Sequence, residues 1–337
     1  MLPALAVAEA LTARGVFVTL AGSPDRVEAQ LVPDAGYELD TFRISGFPRT
    51  PTLALVPALY RAAVAPAACR RILRDRRPDV VFGAGGYVAG PMVVAAASLR
   101  IPAALAEADA HLGLANRLAA PFASRVFLAY PLPGRGGPKY RVVGRPLPAR
   151  ARPISQEAAR EIFELPPDGP VLLVAGALAG ARSLNEQVVE SFGAVGPAIL
   201  HITGERDFSS LRGRVTRPDY RMIPSTERIG AAYSAADLVL ARAGSSVWEL
   251  AAAGKPAILV PYPFATADHQ AKNAEHFVHA GGAIMVRDLD LEDVPDHVRS
   301  LLDDPSRLEQ MSRAMLSVAR PDAADEIAAE LIELARS

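Results

Sequence analysis

The sequence predicts two α/β domains, each wound around a parallel sheet with helices on both faces, and three observations lead there. At 337 residues the chain is longer than one hydrophobic core usually organises, since domains run at about 150 residues. Short continuous apolar runs alternate with helical segments throughout, which is how strands buried on both faces and their crossover helices read. A proline-rich stretch from Arg145 to Pro153 divides this rhythm into two comparable blocks and marks a hinge.

Taken in order, Ala4 to Arg14 reads as a helix and Val16 to Ala21 as an apolar strand, with Asp79 to Phe82 and Ile101 to Leu105 as two more strands of the first block. The uncharged run from Val80 to Leu99 is long enough to span a bilayer. Gly83, Gly85, Gly86, Gly90 and Pro91 interrupt it, so it reads as a buried strand, a glycine turn and a helix start. The second block opens with the helix Gln156 to Phe163. Its strands are Val171 to Val174, Ala198 to Ile202, Leu238 to Leu240 and Ala257 to Val260. The domains expected are residues 1–148 and 156–318, joined by a linker over 149–155, with residues 319–337 as a C-terminal helix.

Composition narrows the function classes. With 36 basic and 37 acidic side chains the net charge is −1, so no global field draws the chain to nucleic acid, and an anionic partner must be held locally. The single cysteine, Cys69, cannot close an intramolecular disulfide. Together with a start that does not read as a signal peptide, this points to a reducing cytoplasm. No spacing of His, Cys or Asp suits a metal, and none is expected.

Ligands of doubly wound sheets sit beyond the carboxyl ends of the strands, where backbone N–H groups collect. Three glycine loops follow strands in this sequence. Gly83 to Pro91 allows close approach of backbone to a phosphate or serves only as a tight strand-to-helix turn. Gly176 to Arg182 matches neither the dinucleotide fingerprint nor the P-loop. Ala241 to Glu249 is the informative one: Gly244, Ser245 and Ser246 can present N–H and hydroxyl donors to a diphosphate, and Glu249, a turn later, can accept both ribose hydroxyls. After it, Ala267 to Asn273 supplies a polar cluster able to read sugar hydroxyls.

These residues resemble the MurG transferases over nearly the whole chain. The resemblance is carried by Pro3 to Ala8, Arg26 to Pro33 running on to Arg43–Gly46, and the Gly83 to Pro91 loop. Later blocks are Gly113 to Arg117, Val142 to Pro146, Gly180-Ala181-Arg182 with Asn185, Glu249 to Pro261, and Asp268-His269-Gln270 with Asn273. The resemblance implies a GT-B fold with the sugar donor in the C-terminal domain and a lipid acceptor on the N-terminal one. It implies inverting, metal-independent transfer of N-acetylglucosamine from UDP-N-acetylglucosamine to an undecaprenyl-linked muramyl-pentapeptide in peptidoglycan synthesis. UDP-sugar is then a substrate, and no cofactor is expected. By the same resemblance Arg182, Asn185, Arg242, Gly244, Ser245, Ser246, Glu249, His269 and Gln270 bind the donor, and Gly85, Gly86, Tyr87 and Asn116 the acceptor. Glu107, with Asp109 behind it, is the candidate base.

The departures are specific. Leu178 and Ala179 stand where the family carries Ser-Gln, and Ala106-Glu107-Ala108-Asp109 replaces His-Glu-Gln-Asn. The family also has a strand and a Gly-Gly-Thr-x-Gly-His turn ahead of the proline matching Pro3. A start codon assigned too late, with a GTG valine codon read as Met1, accounts for this, and the chain as given is expected to be less stable and to transfer little. A lipid acceptor requires a peripheral enzyme on the cytoplasmic face of the membrane. Leu53 to Leu59 is the apolar patch, and Arg61, Arg70, Arg71, Arg74, Arg76 and Arg77 are the groups for anionic head groups. The alternatives are a UDP-sugar epimerase of the same fold and a non-catalytic nucleotide-sugar-binding protein.

Overall fold

The computed structural model describes residues 1–44, 55–176, 181–265 and 268–337, with backbone alone for residues 55–63. The chain divides into two units: Met1–Pro148 with Pro321–Ser337, and Ala149–Arg320.

The first unit runs α1 (Leu2–Thr12), β1 (Thr19–Gly22), α2 (Glu28–Asp34), β2 (Glu38–Thr41), α3 (Leu55–Arg76), β3 (Val81–Gly83), α4 (Gly86–Ser98), β4 (Ala103–Glu107), α5 (Leu114–Ala119), β5 (Arg125–Leu128) and β6 (Tyr140–Val142). All its strands pair in parallel, but in two pieces: β1 with β2, and β3-β4-β5-β6. One edge of β1 and one edge of β3 have no strand partner among the described residues. The uncharged run at Val80–Leu99 folds as strand, turn and helix, and no helix of the described residues is long and apolar enough to cross a membrane. Cys69 is fully buried among Phe42, Leu73 and Val93, and burial pushes its thiol up to about 12.

The second unit runs α6 (Gln156–Ile162), β7 (Val171–Ala175), α7 (Arg182–Phe192), β8 (Ala198–Ile202), α8 (Glu205–Leu211), β9 (Tyr220–Ile223), α9 (Ile229–Ala235), β10 (Leu238–Arg242), α10 (Val247–Ala252), β11 (Ala257–Val260), α11 (His269–His279), β12 (Ala283–Met285), α12 (Val294–Leu302) and α13 (Pro305–Val318). Its six strands form one parallel sheet in the order β9-β8-β7-β10-β11-β12. The continuous apolar runs follow from that position, since Val171 to Val174 and Ala257 to Val260 are wholly buried between helices on both faces. On α7, Leu184, Val188, Val189 and Phe192 recur at helical spacing and enter this core.

The C-terminal helix, α14 (Ala323–Arg336), belongs to the first unit rather than standing beyond the second. Ile327, Ala328 and Leu331 pack with Val7, Leu11, Ala104 and Phe127. Ion pairs tie it down at Arg14–Asp325 (2.7 Å), Arg125–Glu330 (3.3 Å) and Arg141–Glu330 (3.1 Å). Its apolar stripe covers a sheet face that β3-β4-β5 would otherwise expose.

Candidate active site

In the six-stranded sheet the chain starts at β7, moves outward to β9, then restarts on the other side of β7 with β10. The strand order thus reverses between β7 and β10, and the carboxyl ends of the strands at such a switch point are where sheets of this kind bind nucleotides. Residues 177–180 of the loop after β7 lie outside the described residues, so the substitutions at Leu178 and Ala179 do too. The loop after β10, Ala243 to Ser246, is described in full.

Arg242 anchors that loop from below. Its guanidinium is buried and pairs with Asp288 at 2.5 Å, donates to Ser183 Oγ at 2.8 Å, and reaches the Val260 and Pro261 carbonyls at 3.4 Å. Ser183 Oγ in turn donates to Asp288 at 3.0 Å. The side chain expected to contact the donor is thus engaged inside the domain, joining β10, β11, the start of α7 and the segment after β12. Asn273, fully buried on α11, brings its amide to within 3.5 Å of the Ala243 carbonyl. Trp248 of α10 packs against the rings of His276 and Phe277, with centroids at 5.6 and 5.3 Å. The loop is therefore held on three sides.

Above this support the half-exposed Gly244, Ser245 and Ser246 lead into α10. Their backbone N–H groups have no acceptor among the described residues, while the Gly244 and Ser246 carbonyls begin the helix. Glu249 is half-buried, and its Oε2 accepts from the Tyr233 hydroxyl at 2.8 Å. Burial, reinforced by the Glu249 charge, raises the Tyr233 phenol well above its usual range, so it stays a donor. Gln270 is oriented by its carbonyl, which accepts from Tyr262 N at 2.9 Å. Its Nε2 then lies 4.0 Å from where a Cβ on Gly244 would sit. His269 opens α11 beside it. Arg182, at the first position of α7, is exposed and paired with Glu186 at 2.8 Å.

Asn185, expected among the donor contacts, is fully buried. Its amide donates to the Thr203 carbonyl (2.9 Å) and Asp207 (3.0 Å), and its Oδ1 meets His201 Nε2 (3.1 Å), whose Nδ1 meets the Tyr220 hydroxyl at 2.7 Å. Burial lowers the His201 pKa to about 3, so the ring is neutral and the chain is a structural network.

In the first unit, Gly85 and Gly86 turn at φ +93° and +74°, and a Cβ on Gly85 would come within 3.2 Å of the Ala106 carbonyl. A close approach of this turn to β4 thus requires glycine there. Tyr87 follows on α4 and packs against the domain core. Glu107, at the end of β4, accepts from Ala108 N (3.0 Å), Asp109 N (3.2 Å), Gly113 N (2.9 Å) and Asn116 Nδ2 (2.9 Å). With four donors on its two oxygens, this carboxylate organises the loop into α5, a positioning role in place of the base expected of it. Asn116 is likewise buried, with its amide on Glu107 and the Ala106 carbonyl, rather than open to an acceptor. The Asp109 side chain sits half-exposed in the same loop.

Residues 1–128 match the glycosyltransferase family 28 N-terminal domain, and residues 171–327 match the family 28 C-terminal domain. A UDP-N-acetylglucosamine--N-acetylmuramyl-(pentapeptide) pyrophosphoryl-undecaprenol N-acetylglucosamine transferase of Acidithiobacillus ferrooxidans is 41% identical, over 99% of this chain and 94% of its own length. The chain belongs to glycosyltransferase family 28. A transferase of the same name from Halorhodospira halophila is 39% identical, over 99% of this chain and 94% of its own. The crystal structure of Acinetobacter baumannii MurG superposes with a TM-score of 0.80 at 27% identity, covering 98% of this chain and 95% of that one. The fold class is GT-B, as the resemblance implies.

For a family 28 chain, the supporting residues are the ones sequence reasoning misses. Ser183, Asp288 and Tyr233 carry no motif of their own. Tyr233 alone leaves a trace, as the one large polar residue in the small-residue run Ala231 to Ala236.

Proposed function

We propose that this chain transfers N-acetylglucosamine from UDP-N-acetylglucosamine to an undecaprenyl-pyrophosphoryl-muramyl-pentapeptide acceptor, with inversion and without a metal. The observation that supports the reading is the switch point of the six-stranded sheet, with the Ala243–Ser246 turn at the end of β10, in a chain with a relative of that name at 41% identity along nearly its full length. The N–H groups and hydroxyls of Gly244, Ser245 and Ser246 face the diphosphate and stabilise the charge that grows on departing UDP. Glu249, oriented by Tyr233, accepts the ribose hydroxyls. Gln270 presents its Nε2 to the sugar, with His269 beside it, and Arg182, exposed and paired with Glu186, supplies a positive charge. On the acceptor side Gly85, Gly86 and Tyr87 shape the site. Glu107 and Asn116 position its loop, which leaves Asp109 as the candidate carboxylate for deprotonation.

The enzyme works at the cytoplasmic face of the membrane as a peripheral protein. Leu53 and Ala54 of the apolar patch lie outside the described residues, as do the side chains from Leu55 to Leu59. Of the arginines that follow, Arg76 is tied to Glu38 (2.6 Å) and Asp40 (2.8 Å), whereas Arg71, Arg74 and Arg77 are exposed and suit anionic head groups. The assay is transfer of labelled sugar from UDP-N-acetylglucosamine to a short-chain lipid acceptor. Conversion of the donor to its epimer without acceptor would select the epimerase reading instead. UDP binding with neither reaction would select the non-catalytic one.

A further inference from the structure

The strand β9 lies at one end of the second unit's sheet and, among the described residues, pairs only with β8. The ladder bonds from Ile199 N to the Asp219 carbonyl and from Thr203 N to the Ile223 carbonyl fix which residues face β8. Backbone groups alternate in direction along a strand, so Tyr220 and Met222 turn their N–H and C=O outward. Those groups have no hydrogen-bond partner among the described residues.

A groove of about 460 Å³ runs along this edge. Leu200 and Arg221 are register partners on one face of the sheet, where Phe163 and Glu164 at the end of α6 lie over them. Tyr220 and Met222 point to the other face, toward Phe208 and Val215. Residues of both faces line one groove, so it crosses the strand edge and leaves room on either side of an added strand for alternating side chains.

The groove's charge is one-sided: three arginines and a single carboxylate line it. Arg221 is paired with that carboxylate, Glu164, and Arg217 holds Asp219 through two bonds of 2.7 Å. Arg212 is exposed, lies 5.9 Å above the Phe208 ring, and has no carboxylate within ion-pair distance among the described residues. A second copy paired through its own β9 would bring an identical groove whose carboxylates are already engaged and none to meet Arg212, which disfavours it. We propose that the free edge of β9 docks an extended segment of a partner protein, which adds as a further strand and brings acidic side chains to Arg212.

Panning a phage-displayed library of random dodecapeptides on the immobilised full chain tests this, with Met222→Pro as counter-selection. That change removes one outward N–H and no bond to β8, a position where edge strands accept proline. Enriched peptides are expected to alternate apolar with Asp or Glu. Made synthetically, they should bind about tenfold more weakly to Met222→Pro, the loss of one hydrogen bond of about 1.4 kcal/mol. Arg212→Glu should weaken them as well, and binding should slow amide exchange at Tyr220 and Met222. N-methylation of the peptide's strand-facing amides must abolish binding to the unaltered chain, which keeps the test valid if Met222→Pro fails to fold. Peptides indifferent to all three changes, basic peptides, or no enrichment would overturn the proposal. So would a concentration-dependent dimer that Met222→Pro dissociates.

Discussion

Replacing Arg242 by methionine separates two roles the residue could have. The guanidinium is buried, meets Asp288 at 2.5 Å and bonds Ser183 Oγ at 2.8 Å. Methionine fills similar volume but leaves Asp288, itself largely buried, without its cation. Removing one partner of a buried pair costs about 3–5 kcal/mol, because an uncompensated charge remains. In a unit of this size each kcal/mol moves the melting temperature by roughly 2–4 °C, so the transition of the second unit should fall by about 6–20 °C. Arg242→Met/Asp288→Leu removes both charges and should recover most of that loss, which a double-mutant cycle measures. UDP affinity, by calorimetry well below the transition, should fall only a fewfold in either variant. If Arg242→Met melts like the unaltered chain while UDP binding disappears, Arg242 contacts the donor directly and the assignment to the support is wrong.

Other consequences follow from the same contacts. Tyr233→Phe removes one hydrogen bond to Glu249 and should cost about 1 kcal/mol, read as a several-fold weaker UDP affinity with little change in melting. Glu107→Gln turns an acceptor of four bonds into a group that must donate at one oxygen position, so the first unit should lose about 1–3 kcal/mol. Its pH–rate profile should keep its shape, and loss of the acidic limb would restore Glu107 as the base. His201 has a folded pKa of about 3 against 6.5 unfolded, so below pH 6.5 the unfolded chain binds the extra proton. The stability His201 contributes is full above pH 6.5 and declines toward pH 3, by about 2–3 kcal/mol at pH 4.5. Urea midpoints of the unaltered chain and His201→Gln across that range would show it as a slope missing from the variant. Leu331→Ala on α14 should lower the first unit's transition by about 2–5 kcal/mol and leave the second unit's in place.

What the sequence conveys depends on whether a residue's role is local. The strands at Ala198–Ile202 and Ala257–Val260 are legible because burial on both faces demands an unbroken apolar run. Glu38–Thr41, Tyr140–Val142 and Tyr220–Ile223 escape, because these edge strands carry charges among their apolar residues and their pairing is set by distant chain. The turn from Ala243 to Ser246 is legible for a similar reason: a tight strand-to-helix turn calls for glycine and small hydroxyls, the pattern also expected of a backbone that approaches a diphosphate. Asn185 sits in a family block and Arg242 two residues ahead of Gly244, yet their side chains turn inward to Asp207 and to Asp288, residues 22 and 46 positions away. Motif position cannot tell a residue that touches the ligand from one that holds the residue that does, since both are intolerant of change. Burial distinguishes them, and burial is a property of the assembled sheet: the Arg242 guanidinium faces the β11 carbonyls because β11 pairs beside β10. The Ala243–Ser246 turn is therefore specified twice, by its own glycine and serines and by an ion pair that only the fold brings together.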